Sequence, residues 1–226
     1  MNVIVFASRK GGTGKSTLAA HLATYCYRSS RSCLLVDADP QGSLTLWHRL
    51  RKTPEPPLKN GLRDFAQILA DAEREGVEWV LVDTPPLVSA EVSEIICAAT
   101  LIVIPARPSV FDLTAITETI AIALTANKPF AVVLNGVAPR RLGTESPIAL
   151  TARRYLASLA PVWSGQISHR HTYALALAEG QSVGEQDSDA RVAREEIGGL
   201  WTAIDNSVNA IHGAYAGAAM HRRVAA

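Results

Sequence analysis

The sequence predicts an α/β fold, a doubly wound and mostly parallel sheet flanked by helices, in a single domain spanning 1–226. Short runs rich in valine, isoleucine and leucine recur along the chain, and longer segments of helical period lie between them. Runs that are apolar on both faces are typical of the buried strands of a parallel sheet. Strands that alternate with helices indicate the doubly wound arrangement.

The apolar runs place the predicted strands, and the periodic segments place the helices. The strands are predicted at 2–7, 33–37, 79–83, 101–105 and 130–135, with a weaker sixth at 162–167. The helices are predicted at about 15–28, 62–75, 90–98, 113–125 and 148–159, with an amphipathic helix at about 189–211. The proline-rich stretch 53–61 is interpreted as a surface loop, and 212–226 as a flexible tail.

Composition excludes several classes of protein. The chain has 226 residues, 48% of them hydrophobic, which suffices for one sizeable core, and its net charge of +1 indicates no global attraction to nucleic acid or membrane. Cys26, Cys33 and Cys97 are isolated, which argues against disulfides, zinc or an iron–sulfur cluster and predicts small buried residues. The apolar stretch after Met1 is too short for a signal peptide, so a cytoplasmic protein is expected.

The stretch GGTGKST at 11–17 follows a predicted strand and opens a predicted helix, the context in which such a motif binds phosphate. Glycines let the backbone approach phosphate oxygens, and amides at a helix N-terminus point at them. Lys15 is expected to neutralise the β and γ phosphates, Ser16 to bind Mg²⁺ and Thr17 to contact the α phosphate. The predicted nucleotide-binding residues of this loop are Gly11, Gly12, Thr13, Gly14, Lys15, Ser16 and Thr17.

Three acids follow predicted strands. Asp37 and Asp39 lie at and just after the end of the second strand, and Asp83 ends the third. Ligands of such sheets collect at the carboxyl ends of the strands, so these acids are expected to converge on the loop after the first strand. Asp83 is predicted to hold a water ligand of Mg²⁺. Asp37 or Asp39 could instead cap a helix that begins before Leu44.

Five segments together resemble the deviant-Walker ATPases of the ParA/MinD group, most of all the short ParA type. They are KGGTGKST, DADPQGS, VDTPP, VLNGV at 133–137 and HTYALALAEGQSV at 171–183, and the resemblance covers about 2–211. It implies the P-loop NTPase fold of the deviant Walker type, with ATP and Mg²⁺ as cofactors. The distinguishing feature is a second lysine, Lys10, ahead of the phosphate loop.

The resemblance also implies roles for individual residues. Lys10 is expected to reach across a homodimer to the phosphates bound by the partner subunit, with Lys10, Lys15 and Asp39 as the catalytic group. Asp39 would orient the attacking water, and Asp37 would support the metal together with Ser16 and Asp83. Asn135 matches an adenine-contacting asparagine, although a turn former before Gly136 is an equal reading of that residue. Asp112 is a candidate for the dimer interface.

The implied function is a partner-stimulated ATPase that forms an ATP-dependent sandwich dimer, binds DNA nonspecifically and positions or segregates a cargo. A ParB-like or equivalent protein is the expected partner, and the ATP-bound form is expected on the nucleoid. Basic residues in the second half of the chain are the DNA-binding candidates, with a solvated surface as the alternative: Arg170, Arg191 and Arg194, and behind them Arg140, Arg141, Arg153 and Arg154. Two other functions stay open, a MinD-like membrane-associated regulator, disfavoured by the alanine-rich C-terminus, and an accessory of conjugal DNA transfer.

Overall fold

The computed structural model describes residues 1–87, 89–186 and 190–224, and within them the side chains of 110–114 and 215–224 are left undescribed. The strands are β1 (Asn2–Phe6), β2 (Cys33–Asp37), β3 (Leu58–Asn60), β4 (Trp79–Asp83), β5 (Leu101–Ala106), β6 (Phe130–Val137) and β7 (Ile167–Ser168). The helices are α1 (Lys15–Arg28), α2 (Ser43–Leu50), α3 (Phe65–Arg74), α4 (Ala90–Ala98), α5 (Val110–Thr125), α6 (Pro147–Ala157), α7 (His171–Ala178) and α8 (Arg191–Val224).

The strands form one parallel sheet in the order β3-β2-β4-β1-β5-β6-β7, which confirms the predicted fold class. The sheet register brings the carboxyl ends of β1, β2 and β4 level with one another, because Asp83 is paired with both Phe6 and Asp37. Loops that leave these three strands therefore meet at one edge of the sheet.

Two apolar cores cover the two faces of the sheet. Alternate residues of β1 divide between them, since Ile4 and Phe6 lie in one core while Val3 and Val5 lie in the other. The first core is closed by α1, α2, α7 and α8, and the second by α3, α4, α5 and α6. This two-sided burial explains why the strands read as continuous apolar runs.

Two short elements, β3 and α7, were absent from the sequence-based prediction, which included α2 only as a helix beginning before Leu44. The stretch 53–61, predicted as a surface loop, contains β3, whose Lys59 and Asn60 are exposed and whose backbone pairs with β2 at the edge of the sheet. An exposed edge strand of three residues has no apolar run to reveal it. The helices α2 and α7 have eight residues each, too few for a clear helical period.

The chain differs from prediction at two further places. α8 continues through the predicted tail as far as Val224, and the alanine-rich composition there favours helix. Cys97 is exposed on α4, whereas Cys26 and Cys33 are buried as predicted. The side chain of Asp112 lies outside the described residues, so its interface role stays a prediction. No helix in the described ranges has the length and apolar character needed to cross a membrane.

A buried ion pair ties the segment after α7 to the end of α2. The Arg51 guanidinium, only 3% exposed, donates to both carboxylate oxygens of Glu185 at 2.8 and 3.0 Å and to the Gly180 carbonyl at 3.2 Å. It also stacks on the Trp47 ring, 4.8 Å from the centroid. Because this guanidinium bonds both partners and is shielded from water, it holds α2 and the segment after α7 together.

His21 of α1 also contacts the segment after α7. Its Nδ1 accepts a hydrogen bond from the Val183 amide at 3.3 Å, and its ring packs on Tyr173 with centroids 5.2 Å apart. Since Nδ1 is an acceptor, the proton of the neutral ring lies on Nε2. Burial lowers the pKa of His21 to about 4.

We predict that this histidine makes the fold sensitive to acid. Its pKa is about 4 in the folded chain and about 6.5 when unfolded, so the unfolded state binds more protons between these values. The stabilisation is complete above pH 6.5 and is lost as the pH falls towards 4, by about 3 kcal/mol in unfolding free energy. Urea unfolding of wild type and His21→Asn across this range should show the difference. Equal pH dependence in both proteins would contradict the prediction.

Candidate functional site

The loop between β1 and α1 is shaped by two glycines. Gly12 and Gly14 have φ values of 75° and 101°, in the left-handed region that other residues rarely adopt. A Cβ at Gly14 would also lie 2.1 Å from Nδ2 of Asn135, so that side chain would have to move. The backbone conformation at position 14 therefore favours glycine, and any larger residue there would displace Asn135.

The first turn of α1 presents free amide groups to this loop. Gly14 is the N-cap and offers no side chain to cap the helix, and the first turn contains no acid. The amides of Lys15, Ser16 and Thr17 lack intrahelical partners, as at any helix N-terminus, and they favour an anion. Lys15 is buried beside them, and burial lowers its pKa while Asp83 and Asp39 oppose that shift.

Asn135 supports the loop from β6. Its side chain is 8% exposed, and its amide nitrogen donates to the Thr13 carbonyl at 2.6 Å while packing on Gly14. This contact gives Asn135 a structural role that sequence reasoning did not foresee. Its predicted contact with adenine stays a prediction.

Asp37 is positioned by the first turn of α2. Its Oδ2 accepts hydrogen bonds from the Thr45 amide at 2.8 Å and from the Thr45 hydroxyl at 2.7 Å. The Thr45 hydroxyl also lies 2.6 Å from Oδ1 of Asn60, a second acceptor, so Asp37 and Asn60 share its single proton. Oδ2 therefore caps α2, which was one of the two sequence-based readings of Asp37. Oδ1 is buried without a hydrogen-bond partner, and the metal role of Asp37 stays a prediction.

Asp83 carries the most unusual electrostatics of the site. It is fully buried, and neither carboxylate oxygen has a hydrogen-bond partner. Burial raises its pKa to about 7. The Ser16 hydroxyl, which is near but outside hydrogen-bond geometry, and the Lys15 ammonium both lower this pKa, but only in part. A buried carboxylate with unused oxygens requires a cation beside it to stay charged.

The phosphate loop and the first turn of α1, including Lys15 and Ser16, line a cavity of about 610 Å³, whereas Asp37 and Asp83 are not among its lining residues. Asp39 lies on its rim, where Oδ1 accepts from the Gln41 amide at 2.9 Å. Asp39 also borders a second cavity of about 770 Å³ with Asp37, Arg49 and Arg63. The residues of the first cavity are Gly11, Gly12, Gly14, Lys15, Ser16, Thr17, Ala20, Asp39, Gln41, Ser43, Leu44, Leu46, Trp47, Leu50, Pro86, Arg107, Leu177 and Ala178.

The structure thus brings most of the predicted site together. Lys10 lies in the preceding turn, where its carbonyl accepts from the Thr13 hydroxyl at 3.5 Å, and it does not line the cavity. Sequence reasoning missed Thr45, Trp47 and Arg107. For Arg107 a signal existed, because it lies in the PARPS stretch after β5.

The predicted DNA-binding arginines lie away from this cavity and are engaged within the chain. Arg170 pairs with the half-buried Glu196 at 2.8 Å, and Arg194 donates to the Val183 carbonyl at 3.4 Å. Arg191 is well exposed and pairs with Glu195 one turn along α8. Of the three, Arg191 is the one whose pair is exposed enough to exchange readily for another anion.

The donor set fits Mg²⁺ bound together with a nucleotide. The unused oxygens of Asp37 and Asp83 and the Ser16 hydroxyl are hard ligands that suit this ion. Among the described residues no group of three or more histidine, cysteine or acidic side chains could hold a metal alone. Mg²⁺ usually completes its shell with water and substrate phosphates, so the ion is expected to arrive with the nucleotide.

A phosphate-binding loop at the carboxyl edge of a parallel sheet defines a nucleotide-binding protein of the P-loop class. Within that class the chain belongs to the CobQ/CobB/MinD/ParA nucleotide binding domain family, which it matches over residues 4–183. It is thus an ATPase of the ParA/MinD type.

The curated relatives include proteins of two kinds. The chain is 32% identical to the maintenance of carboxysome distribution protein A of Gloeobacter kilaueensis, over 88% of this chain and 95% of that protein. It is 31% identical to the protein of the same name from Halothiobacillus neapolitanus, over 86% and 92%. It is 31% identical to the chromosome-partitioning ATPase Soj of Thermus thermophilus, over 49% and 56%.

Solved structures confirm the fold. The ATP complex of an McdA variant from Cyanothece matches with a TM-score of 0.72 and 20% identity, covering 91% of this chain and 96% of that one. The MinC:MinD cell division complex of Aquifex aeolicus matches with a TM-score of 0.71 and 18% identity, covering 91% and 96%.

We predict that Thr45→Val raises the Mg²⁺ concentration that half-saturates ATP hydrolysis by about tenfold. An effect of this size is usual when a group that orients a metal-site carboxylate is removed. Valine keeps the shape of threonine but removes the hydroxyl donor to Asp37. Thr45→Ser, which keeps the hydroxyl, is the matched control. The measurements are the Mg²⁺ concentration that half-saturates ATP hydrolysis and the Mg²⁺-dependent thermal shift with ADP.

Nucleotide affinity in EDTA should be the same in all three proteins. Thr45→Val with wild-type Mg²⁺ dependence would show that the hydroxyl does not position Asp37.

Proposed function

We propose that this chain is a ParA-type ATPase that forms a face-to-face homodimer around two ATP molecules and uses it to position a cargo. One observation carries the proposal, namely a second lysine beside a phosphate loop that already has its own. Lys15 is buried among the site acids, whereas Lys10 is half-buried outside the cavity. That placement supports a role for Lys10 at the phosphates of a partner subunit.

The charges explain why such a dimer would depend on ATP. Two nucleotides brought face to face repel each other strongly unless cations lie between them. A Lys10 contributed by each subunit supplies those cations only when both nucleotides are bound. The same positive charge stabilises the phosphoryl group during transfer, as an arginine finger does.

Apart from the partner subunit's Lys10, the roles in hydrolysis would be divided among residues of one subunit. The α1 amides and Lys15 hold the phosphates, and Ser16, Asp37 and Asp83 hold Mg²⁺, which when bound neutralises charge on the phosphate oxygens. Asp39, fixed on the cavity rim by the Gln41 amide, orients the attacking water. These residues alone would hydrolyse ATP slowly, and a cargo-bound ParB-like or equivalent protein would raise the rate.

The breadth of the curated matches supports a protein assembly as the cargo. The two relatives named for carboxysome distribution align over 95% and 92% of their own lengths, whereas Soj aligns over 56%. A plasmid or chromosome region remains the second candidate cargo. In either case the ATP-bound dimer would be held on nonspecific DNA of the nucleoid in the cytoplasm.

We predict that Lys10→Ala abolishes ATP-dependent dimerisation and leaves ATP binding by the monomer intact. Light scattering measures the dimer, and a fluorescent ATP analogue measures binding. Arg9→Ala is the matched control, because Arg9 is the neighbouring cation and its partner is Glu118, 3.0 Å away in the same chain. A Lys10→Ala protein that dimerises like wild type would refute the assignment.

We predict that Arg191→Glu weakens binding to nonspecific duplex DNA. The slope of log affinity against log salt concentration should become shallower by about 1 for each phosphate that the protein no longer neutralises. Arg191 is chosen because its pair with Glu195 is exposed. Arg74→Glu, on α3 over the other face of the sheet, is the control. If DNA affinity and salt dependence are unchanged in Arg191→Glu, the DNA-binding surface lies elsewhere.

A further inference from the structure

The turn between β6 and α6 exposes a leucine in an unfavourable conformation. Leu142 and Gly143 both have positive φ, 48° and 78°, and the flanking Arg141 and Thr144 bond each other's backbone at 3.1 and 2.9 Å. These are the features of a tight hairpin turn, whose first central position normally holds asparagine, aspartate or glycine. Leu142 is fully solvent-exposed at this position, so neither packing nor backbone preference accounts for a leucine there.

Ion pairs and hydrogen bonds tie the hairpin to α6. Glu145 accepts hydrogen bonds from Arg140 at 2.8 Å and from Arg153 at 2.6 Å. Arg153 also donates to the carbonyls of Trp163 and Gly165, which anchors it to the segment before β7. Leu142 is therefore presented on a braced support, and ordering it on binding would cost little entropy.

Further apolar side chains extend from this turn along α6. Ile148 lies in its first turn and is 67% exposed, and Tyr155 lies two turns later on the same side and is 43% exposed. Leu159, just past the helix, is 42% exposed. With Leu142 they form what we call the hairpin–α6 surface, defined by Leu142, Ile148, Tyr155 and Leu159.

The charge around this surface is strongly positive. Residues 138–160 contain four arginines and a single acid, Glu145. Glu145 is already taken by Arg140 and Arg153. Arg141 and Arg154 are exposed, and no described carboxylate lies within ion-pair distance of either. A partner for the hairpin–α6 surface must therefore be both apolar and acidic.

We propose that the hairpin–α6 surface docks an acidic amphipathic segment of another protein. Tyrosine and arginine are enriched in the energetically dominant part of protein interfaces, and this surface has both beside its exposed aliphatic side chains. DNA phosphates would satisfy the arginines but leave the apolar side chains uncovered. A membrane is disfavoured because Ala149, Ala152 and Leu156 of α6 are buried in the core, so the helix is not free to insert an apolar face.

The test uses a fluorescein-labelled synthetic helical peptide with leucines on one face flanked by glutamates, and a matched peptide with lysines in place of the glutamates. By anisotropy, wild type should bind the acidic peptide at least about tenfold more tightly, and the double variant R141E/R154E should abolish that preference. No nucleotide is needed, so the outcome does not depend on the ATPase proposal.

Leu142→Gly separates docking from folding. Glycine relaxes the left-handed backbone, so the variant should melt at or above the wild-type temperature. It should nevertheless bind the acidic peptide about fivefold or more weakly, because the exposed anchor is gone. Leu124→Ala, which removes an exposed leucine from α5, is the control and should bind like wild type.

Three results would overturn the proposal. One is equal affinity for the acidic and basic peptides. The second is unchanged peptide affinity in Leu142→Gly. The third is a wild-type protein that does not bind the acidic peptide but binds duplex DNA or phosphatidylglycerol vesicles, with that binding lost in Leu142→Gly.

Discussion

The site depends on the electrostatic relation between Lys15 and Asp83, two charged groups buried at the carboxyl edge of one sheet. Burial favours the neutral form of both groups, so it lowers the pKa of Lys15 and raises the pKa of Asp83. The charge of each group opposes the shift of the other. Neither oxygen of Asp83 is hydrogen-bonded, so the pair is incomplete in electrostatic terms. In the proposed complex, a triphosphate with its cation would supply what both groups lack, an anion for Lys15 and positive charge for Asp83.

The helix α2 links this edge to the opposite end of the cavity. Its first turn holds Asp37 through Thr45, and its last turn is followed by Arg51, which is bonded to Glu185. Trp47 between them lines the cavity and supports the guanidinium. A helix of two turns therefore joins the contact to Asp37 and the contact to the segment after α7.

The basic residues of the second half of the chain divide by burial and not by sequence position. Arg170 and Arg153 are held by acids and carbonyls inside the chain and act as structural braces. Arg141 and Arg154 are exposed beside apolar side chains, and Arg191 is exposed on α8 beside an acid. The sequence does not show which of these arginines have acidic partners inside the chain. A count of arginines therefore overstates the positive charge that a ligand can contact.

The sequence by itself determined the sheet, its flanking helices and the phosphate loop. Buried parallel strands must be apolar on both faces, and a loop that curls around phosphate must have glycine at positions such as Gly14, so both leave marks that are read locally. β3 and α2 left no such mark, because β3 is an exposed edge strand and α2 spans only two turns.

Only the tertiary structure decided how the two oxygens of Asp37 are used, that Asn135 supports the loop through Thr13, and which arginines are held by internal partners. Each of these depends on contacts between residues far apart in the chain, such as the 122 positions that separate Asn135 from Thr13. The chemistry of a motif follows from its residue types, whereas hydrogen-bond partners and burial follow from the sheet order that brings distant strand ends together.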